Sequence, residues 1–272
     1  IGVHDEPGSR SGSSSLDASL PVADSSCRRP LRRAPTWQQA EVLEVSAQNC
    51  ETATLSLRLS VTEGFQAGQY YNVRLPFQDR PRPVQRAYSV GSSPLPNPSV
   101  IELTVKRMDG GLVSPRLVDG LSTGSTLEVR GPYGRFTWNA TCAGPVLMVA
   151  AGSGVVPLVS MARLGEALGS ETPMHLVLCS KSFETVVYRD ELARLATSSW
   201  FACTHTFTRA PEDGRATFHR RIDRQMLEAS LQDRPFPQLA FICGPPTMVD
   251  SCAEDLIVLG MDPSMVRTEK YD

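Results

Sequence analysis

Residues 145–161 read Pro-Val-Leu-Met-Val-Ala-Ala-Gly-Ser-Gly-Val-Val-Pro-Leu-Val-Ser-Met. The run 146–151 is unbroken apolar sequence, the pattern of a strand buried on both faces of a parallel sheet. Gly152-Ser153-Gly154 interrupts it, and over 155–168 apolar residues recur at helical spacing. Strand, glycine turn and helix form the arrangement in which an open α/β sheet turns backbone N–H groups and a helix N-terminus toward a phosphate. Pro157 falls in the first helical turn, where its missing N–H costs nothing. The usual dinucleotide fingerprint has a third glycine at that place, whereas this chain reads Gly152-x-Gly154-x-x-Pro157. Such a turn alone serves as a plain connection as often as it holds a ligand, so the flanking sequence decides.

Downstream, strand-like runs at 174–179, 201–207, 239–243 and 265–270 alternate with helical patterns at 188–197, 222–231 and 247–259. That alternation predicts a doubly wound parallel sheet. Upstream, β-rich runs at 40–46, 54–61, 70–75, 85–90, 100–106 and 126–129 are separated by turn signals such as Asp109-Gly110-Gly111 and Gly131-Pro132. Six short strands at this spacing predict an antiparallel β-barrel or sandwich, with one short helix at 112–118. The pattern changes at 140–144, which divides the chain into residues 36–142 and 143–272. Residues 1–35 are Ser/Gly-rich at 11–15 and Arg/Pro-rich at 27–35, and disorder is expected there. Arg28, Arg29, Arg32 and Arg33 have the look of the end of an organelle-targeting segment, although Asp5, Glu6, Asp17 and Asp24 are acids that such segments avoid. A solvated basic tail is the alternative.

The totals exclude several classes. A length of 272 residues and a hydrophobic content of 41% suit two packed domains. A net charge of -2 gives no reason to expect nucleic acid as a partner. No apolar stretch approaches the roughly 18–20 residues of a membrane span. The seven cysteines are scattered, and no Cys-x-x-Cys occurs, so neither a zinc site nor an iron–sulfur cluster is signalled. Reduced thiols of an intracellular protein are the expected state.

Four motifs make the two-domain pattern specific. Arg86-Ala87-Tyr88-Ser89, Gly131-Pro132-Tyr133-Gly134-Arg135-Phe136, Gly152-x-Gly154-x-x-Pro157 and Cys243-Gly244-Pro245-Pro246-x-Met248 occur in that order, each near a strand end. Together they resemble the signatures of the ferredoxin–NADP reductase superfamily over residues 37–272. The resemblance implies an FAD-binding antiparallel β-barrel followed by an NAD(P)-binding α/β domain with a doubly wound parallel sheet. Arg86 is suited to a bidentate contact with the FAD pyrophosphate, and Tyr88, on the same strand face, to packing against the flavin. Ser89 is implied near flavin N5. Val105-Lys106-Arg107 and Gly110-Gly111-Leu112-Val113-Ser114 resemble the segment in which a short helix meets the pyrophosphate, so Val105, Lys106, Gly111, Val113 and Ser114 are candidate FAD contacts. Ser114 reads equally as a simple helix cap.

On the nucleotide side the resemblance implies that Gly152, Ser153, Gly154, Val155 and Pro157 form the NAD(P) loop. Cys243 would stand beside the nicotinamide C4 and shape hydride-transfer geometry rather than act as a nucleophile. Gly244 permits close approach, Pro245-Pro246 stiffen the loop, and Met248 completes the motif. Ser180 and Lys181, with Arg209 one strand further on, fall where the adenosine ribose is expected. No carboxylate of the kind that favours NADH follows that first strand, and the two cations suit a 2′-phosphate, so NADH and NADPH stay open. Tyr271 has the position of a C-terminal aromatic that covers the flavin; Asp272 after it departs from that ending, and packing on the sheet edge is the plain alternative. The segments 178–185, 188–192 and 241–246 also resemble a member of the superfamily expected to be mitochondrial, with the cytoplasm as the alternative location.

The sequence therefore describes an FAD-dependent NAD(P)H oxidoreductase that passes a hydride from nicotinamide to flavin N5 and electrons to a separate, unidentified acceptor. Ser89 and Cys243 are its candidate catalytic residues. The alternative is a non-catalytic nucleotide-sensing or scaffolding module on the same fold.

Overall fold

The computed structural model describes residues 34–271 apart from positions 63, 143 and 233. The expected N-terminal tail, with its arginines and acids, lies outside the described residues save for positions 34 and 35, and Asp272 lies outside them too. The first half holds β1 (Gln38–Asn49), β2 (Thr52–Leu59), β3 (Tyr70–Leu75), β4 (Val84–Ser89), β5 (Val100–Lys106), α1 (Ser114–Asp119) and β6 (Thr126–Tyr133). The second holds β7 (Val146–Ala151), α2 (Val155–Ala167), β8 (Met174–Ser180), α3 (Arg189–Leu195), β9 (Phe201–Phe207), α4 (Arg224–Leu231), β10 (Leu239–Gly244), α5 (Pro246–Val258) and β11 (Val266–Lys270).

The first six strands form an antiparallel sheet in the order β4-β3-β6-β1-β2-β5. It curls into a barrel because the chain just past β4 returns to the other edge. Val90 bridges Leu103, and the Gly91 N–H donates to the Glu102 carbonyl at 2.8 Å. Alternation along each strand sends Val42, Leu55, Leu57, Val73, Ile101, Leu103 and Val129 inward to a buried core. The expected turn at Gly131-Pro132 is not one. β6 runs on through it with a register shift against β3, and past Gly134, where φ is +103°, the chain continues alongside 67–69, the Trp138 N–H donating to the Ala67 carbonyl at 3.3 Å. A side chain at Gly131 would sit 2.6 Å from the Tyr71 ring, which explains glycine inside a strand.

The remaining strands form a parallel sheet, β11-β10-β7-β8-β9. Alternate residues of the buried strands serve its two faces. Met148, Leu176, Leu178 and Phe241 pack against α2 and α3, while Leu147, Val149, Val177 and Ile242 pack against α4 and α5. The strand order reverses between β7 and β10, so the crevice at their carboxyl ends is the topological switch point. Among the described residues no helix is long and apolar enough to cross a membrane.

Both sheets belong to one compact unit. Phe136 and Trp138, leaving the barrel, are buried in the α2–α3 core, and the Phe136 ring meets Phe241 edge-on at 5.1 Å. Arg163 of α2 donates to Glu191 at 2.7 and 2.6 Å, and to the barrel's Glu102 at 2.6 Å and Gly91 carbonyl at 2.9 Å. Its guanidinium lies 4.9 Å from the centroid of the buried Tyr188 ring, whose hydroxyl bonds Thr104 inside the barrel. Tyr188 has φ +58°, a costly conformation for a bulky residue, and its N–H is held by the Gln48 side chain of β1 at 3.1 Å.

Truncating Arg163 would leave two carboxylates facing each other in a half-dry interface. Arg163→Ala is expected to cost about 2–4 kcal/mol, somewhat below the figure for a fully buried pair because Glu102 and Glu191 keep side-chain exposures of 32% and 22%. Urea unfolding at neutral pH measures this. A loss under about 0.5 kcal/mol would place the contact in the class of ordinary surface pairs.

Candidate active site

The end of β4 reaches the carboxyl ends of β10 and β11. Parallel pairing sets Cys243 beside Glu269, and Ser89 Oγ donates to Glu269 Oε1 at 3.3 Å. Three side chains from separate elements thus meet at the barrel's contact with the switch point. Burial raises the Glu269 carboxyl above the ordinary range, and the hydrogen bond from Ser89 opposes that only in part. Burial also drives the Cys243 thiol far up, with the neighbouring carboxylate adding to it, so the sulfur stays protonated at neutral pH. A thiol held in this form is not a ready thiolate nucleophile.

Gly152–Gly154 makes a single 3₁₀ turn feeding α2, with Gly152 at φ +51°. A Cβ on Gly154 would lie 2.2 Å from the Cys243 carbonyl, so this glycine lets β7 and β10 close at their ends. Val155 is fully buried at the start of α2, and Pro157 sits in its first turn. On the other wall Gly244 is covered by the Met248 side chain, Pro245 is exposed, and Pro246 is the first residue of α5.

Tyr271, the C-terminal aromatic expected over the flavin, lies at the crevice itself. Its hydroxyl bonds the Ala151 carbonyl, its N–H donates to the Gly244 carbonyl at 3.2 Å, and its ring edge would touch a Cβ on Gly154 at 3.1 Å. It therefore packs in the switch-point crevice of the α/β half, against the ends of two interior strands and not on the sheet edge. The reason is geometric: β11 runs beside β10 in register, so the residue just past it lands over the β7 turn.

On β4, Arg86 is exposed and donates only to its neighbour's carbonyl, Gln85 O, at 2.8 Å. Tyr88 packs against the barrel core, and burial pushes its phenol up to about 12. The candidates on the following segment fare less uniformly. Val105 and Val113 are buried in the barrel core, so their side chains cannot meet a ligand, which leaves only their backbone. Ser114 neither caps α1 nor stands free. It is the helix's first residue, and its hydroxyl accepts from the Met108 N–H at 3.1 Å, closing the turn that contains Gly110 and Gly111.

The adenosine side holds an ion pair between the halves that the sequence does not mark. Lys181, read as a candidate for a 2′-phosphate, is paired with Glu51 of the β1–β2 turn at 3.3 Å, and Lys106 approaches the same carboxylate at 3.5 Å. Arg209 is exposed at the end of β9, its N–H donating to the Lys181 carbonyl at 2.8 Å. Ser180 is buried with its hydroxyl unpartnered. Glu51, Lys106, Lys181, Ser180, Gly152 and Ser153 line one small cleft of about 40 Å³. An orphaned buried hydroxyl and a glycine turn beside the Lys106–Glu51–Lys181 group offer donors and an acceptor to the edge of a nucleotide, and the exposed Arg86, held only by a backbone carbonyl, suits a phosphate on the barrel.

Sequence reading missed Glu269 and Glu51. Glu269 stands in a charged, five-residue final strand, and only its register against Cys243 makes it part of the site. Glu51 lies in a turn, about 130 positions from Lys181, with no local pattern to mark it.

Barrel, switch-point crevice and residue set together define an oxidoreductase that binds FAD and a pyridine dinucleotide. Comparison with known proteins gives the same answer in finer form. The oxidoreductase FAD-binding domain family matches residues 39–138, and the oxidoreductase NAD-binding domain family matches residues 148–254. Ferredoxin–NADP reductase B of Sorangium cellulosum is 34% identical over 217 residues, covering 76% of this chain and 86% of that protein. The toluate 1,2-dioxygenase electron transfer component of Pseudomonas putida is 28% identical over 240 residues, covering 86% and 67% respectively. A crystal structure of a ferredoxin NADP+ reductase from Neisseria gonorrhoeae with bound FAD and NADP shares the fold at a TM-score of 0.73 and 22% identity, covering 86% of this chain and 98% of that one. The chain belongs to the ferredoxin–NADP reductase superfamily.

Because folding raises the Glu269 pKa, its favourable contribution is complete below the ordinary carboxylate range and is lost as pH rises through the native value. Glu269→Gln is therefore expected to gain stability over the parent as pH rises from about 4.5 to about 7, with no gain near pH 4. Thermal melts across that range check it, and a difference independent of pH would contradict the assignment.

Proposed function

We propose that the protein is an FAD-dependent NAD(P)H oxidoreductase in which Ser89, Glu269 and Cys243 line the meeting point of the two nucleotide sites. Bound FAD would supply the redox chemistry, acceptance of a hydride from reduced nicotinamide and release of electrons to an acceptor. The observation that carries this reading is the convergence of β4, which bears Arg86, Tyr88 and Ser89, on Glu269 of β11 where it pairs with Cys243 of β10, beside the switch point. In this fold class ligands bind at that crevice.

The chain's own residues divide the work. Arg86 would hold the FAD pyrophosphate with charge-assisted hydrogen bonds, and Tyr88 would support the ring system. Gly152–Gly154 and the α2 N-terminus would receive the pyrophosphate of the second dinucleotide through backbone N–H groups. Ser89 holds a proton on its hydroxyl, directed at Glu269, and so can pass or withhold a donor at the reacting edge. Cys243, protonated and buried, would fix how close the nicotinamide comes, a distance to which transfer is steeply sensitive. Tyr271 must leave the crevice or share it. The proposed acceptor is a separate redox protein or small molecule. The naming of one relative as a dioxygenase electron transfer component supports a protein acceptor.

Freshly purified protein should be yellow, and anaerobic NADH or NADPH should bleach the flavin band. Arg86→Ala should lose most of its flavin on gel filtration while keeping its far-UV circular dichroism. Cys243→Ala should retain flavin yet reduce it about 10–100-fold more slowly in stopped flow. A colourless protein that neither takes up FAD nor responds to NAD(P)H would instead favour the scaffolding alternative.

A further inference from the structure

The nucleotide cleft carries a carboxylate that its own domain lacks. In doubly wound nucleotide folds an acidic residue near the second strand end accepts from the ribose hydroxyls and favours NADH. Here that strand, β8, ends in Ser180-Lys181. The vacancy is filled from the barrel. The β1–β2 turn is pinned over this strand end: Asn49 Nδ2 donates to the Thr185 carbonyl at 3.2 Å, and Gln48 Oε1 accepts from the Tyr188 N–H at 3.1 Å. Between those anchors and β2, Glu51 presents its carboxylate to Lys181 at 3.3 and 3.4 Å and to Lys106 at 3.5 Å.

These contacts are long for ion pairs, and Glu51 keeps 43% side-chain exposure, so its oxygens retain room to accept further hydrogen bonds. The unpartnered hydroxyl of Ser180, itself only 6% exposed, lines the same cleft with Gly152 and Ser153. A cleft with a glycine turn at one end, a buried free hydroxyl and an interdomain carboxylate is complementary to a ribose diol. A dianionic phosphate drawn to the two ammonium groups must displace the Glu51 carboxylate they share or lie against it, a repulsion that a ribose diol does not meet.

We propose that Glu51, reaching across from the barrel, is the residue that selects the coenzyme: it accepts from the adenosine ribose hydroxyls and excludes a 2′-phosphate, making NADH the preferred donor. This rests on reading the crevice as the pyridine-nucleotide site. It turns Lys181 from a phosphate ligand into a strut that holds the selecting carboxylate.

Isothermal titration of the flavin-loaded chain with NAD+, NADP+ and 2′,5′-ADP tests it, alongside kcat/KM for NADH and NADPH. The parent is expected to bind NAD+ at least about tenfold more tightly than NADP+, the scale of one carboxylate–phosphate repulsion in a partly solvated cleft. Glu51→Gln should narrow that ratio by about tenfold, chiefly by tightening NADP+ and 2′,5′-ADP, and Glu51→Gln with Lys181→Ala should lose the gain. If Glu51 were only a strut between the halves, Glu51→Gln would lower the melting temperature and weaken both nucleotides by the same factor, and the proposal would fall. Parent protein that binds and is reduced by nucleotide, but keeps its preference in Glu51→Gln, sinks this inference alone. Parent protein that binds neither nucleotide sinks the functional reading with it.

Discussion

The architecture depends on one half-buried cation. Arg163 is an α2 residue, yet two of its contacts are barrel atoms, the Glu102 carboxylate and the Gly91 carbonyl. Removing a guanidinium from water is costly, and here the cost is met by two carboxylates, a carbonyl and the face of Tyr188. Those partners are correctly placed only when the barrel has closed, since Gly91 and Glu102 are themselves the hydrogen-bonded pair that closes it. One interaction thus reads out barrel closure and domain docking together. Everything at the crevice follows, because Ser89 precedes Gly91 by two residues and its direction is fixed by the same closure.

Burial sets the character of the site built on this frame. It shifts the Cys243 thiol and the Tyr88 phenol upward, and Glu269 upward as well. The thiol and the phenol stay protonated at neutral pH, so what they do for a bound redox group would come from orientation and exclusion of water. Charge is kept at the periphery, where Lys106, Lys181 and Glu51 compensate one another.

Much of this was legible in the sequence. Periodicity placed β3, β5, β7 and β9 at their observed bounds, because buried strands read as unbroken or alternating apolar runs whatever their partners. The four motifs fell on strand ends and turns, where backbone geometry restricts residue type. What local pattern did not give was where side chains end up. Ser114 was readable as a cap or a ligand; its hydroxyl accepts from the Met108 N–H and keeps its own proton to donate. Lys181 was readable as a phosphate ligand, and the barrel carboxylate paired with it was not foreseen. Tyr271 and Glu269 depend on the register of β11 against β10, and Glu51 on which turn docks over β8. Register and docking are long-range facts that a local pattern does not encode.

The passage from barrel to sheet has a consequence for how such chains diversify. Phe136 and Trp138 belong by sequence to the front half, but their rings complete the interior of the rear half, and Phe241 would lie bare without them. The seam between the halves is hence displaced from the boundary marked by composition. A splice made at residues 140–144 would carry those rings away with the barrel and expose oily surface on what remains. Halves of this kind are inherited as a matched pair, and exchange between lineages must bring the two aromatic residues along with the sheet they finish.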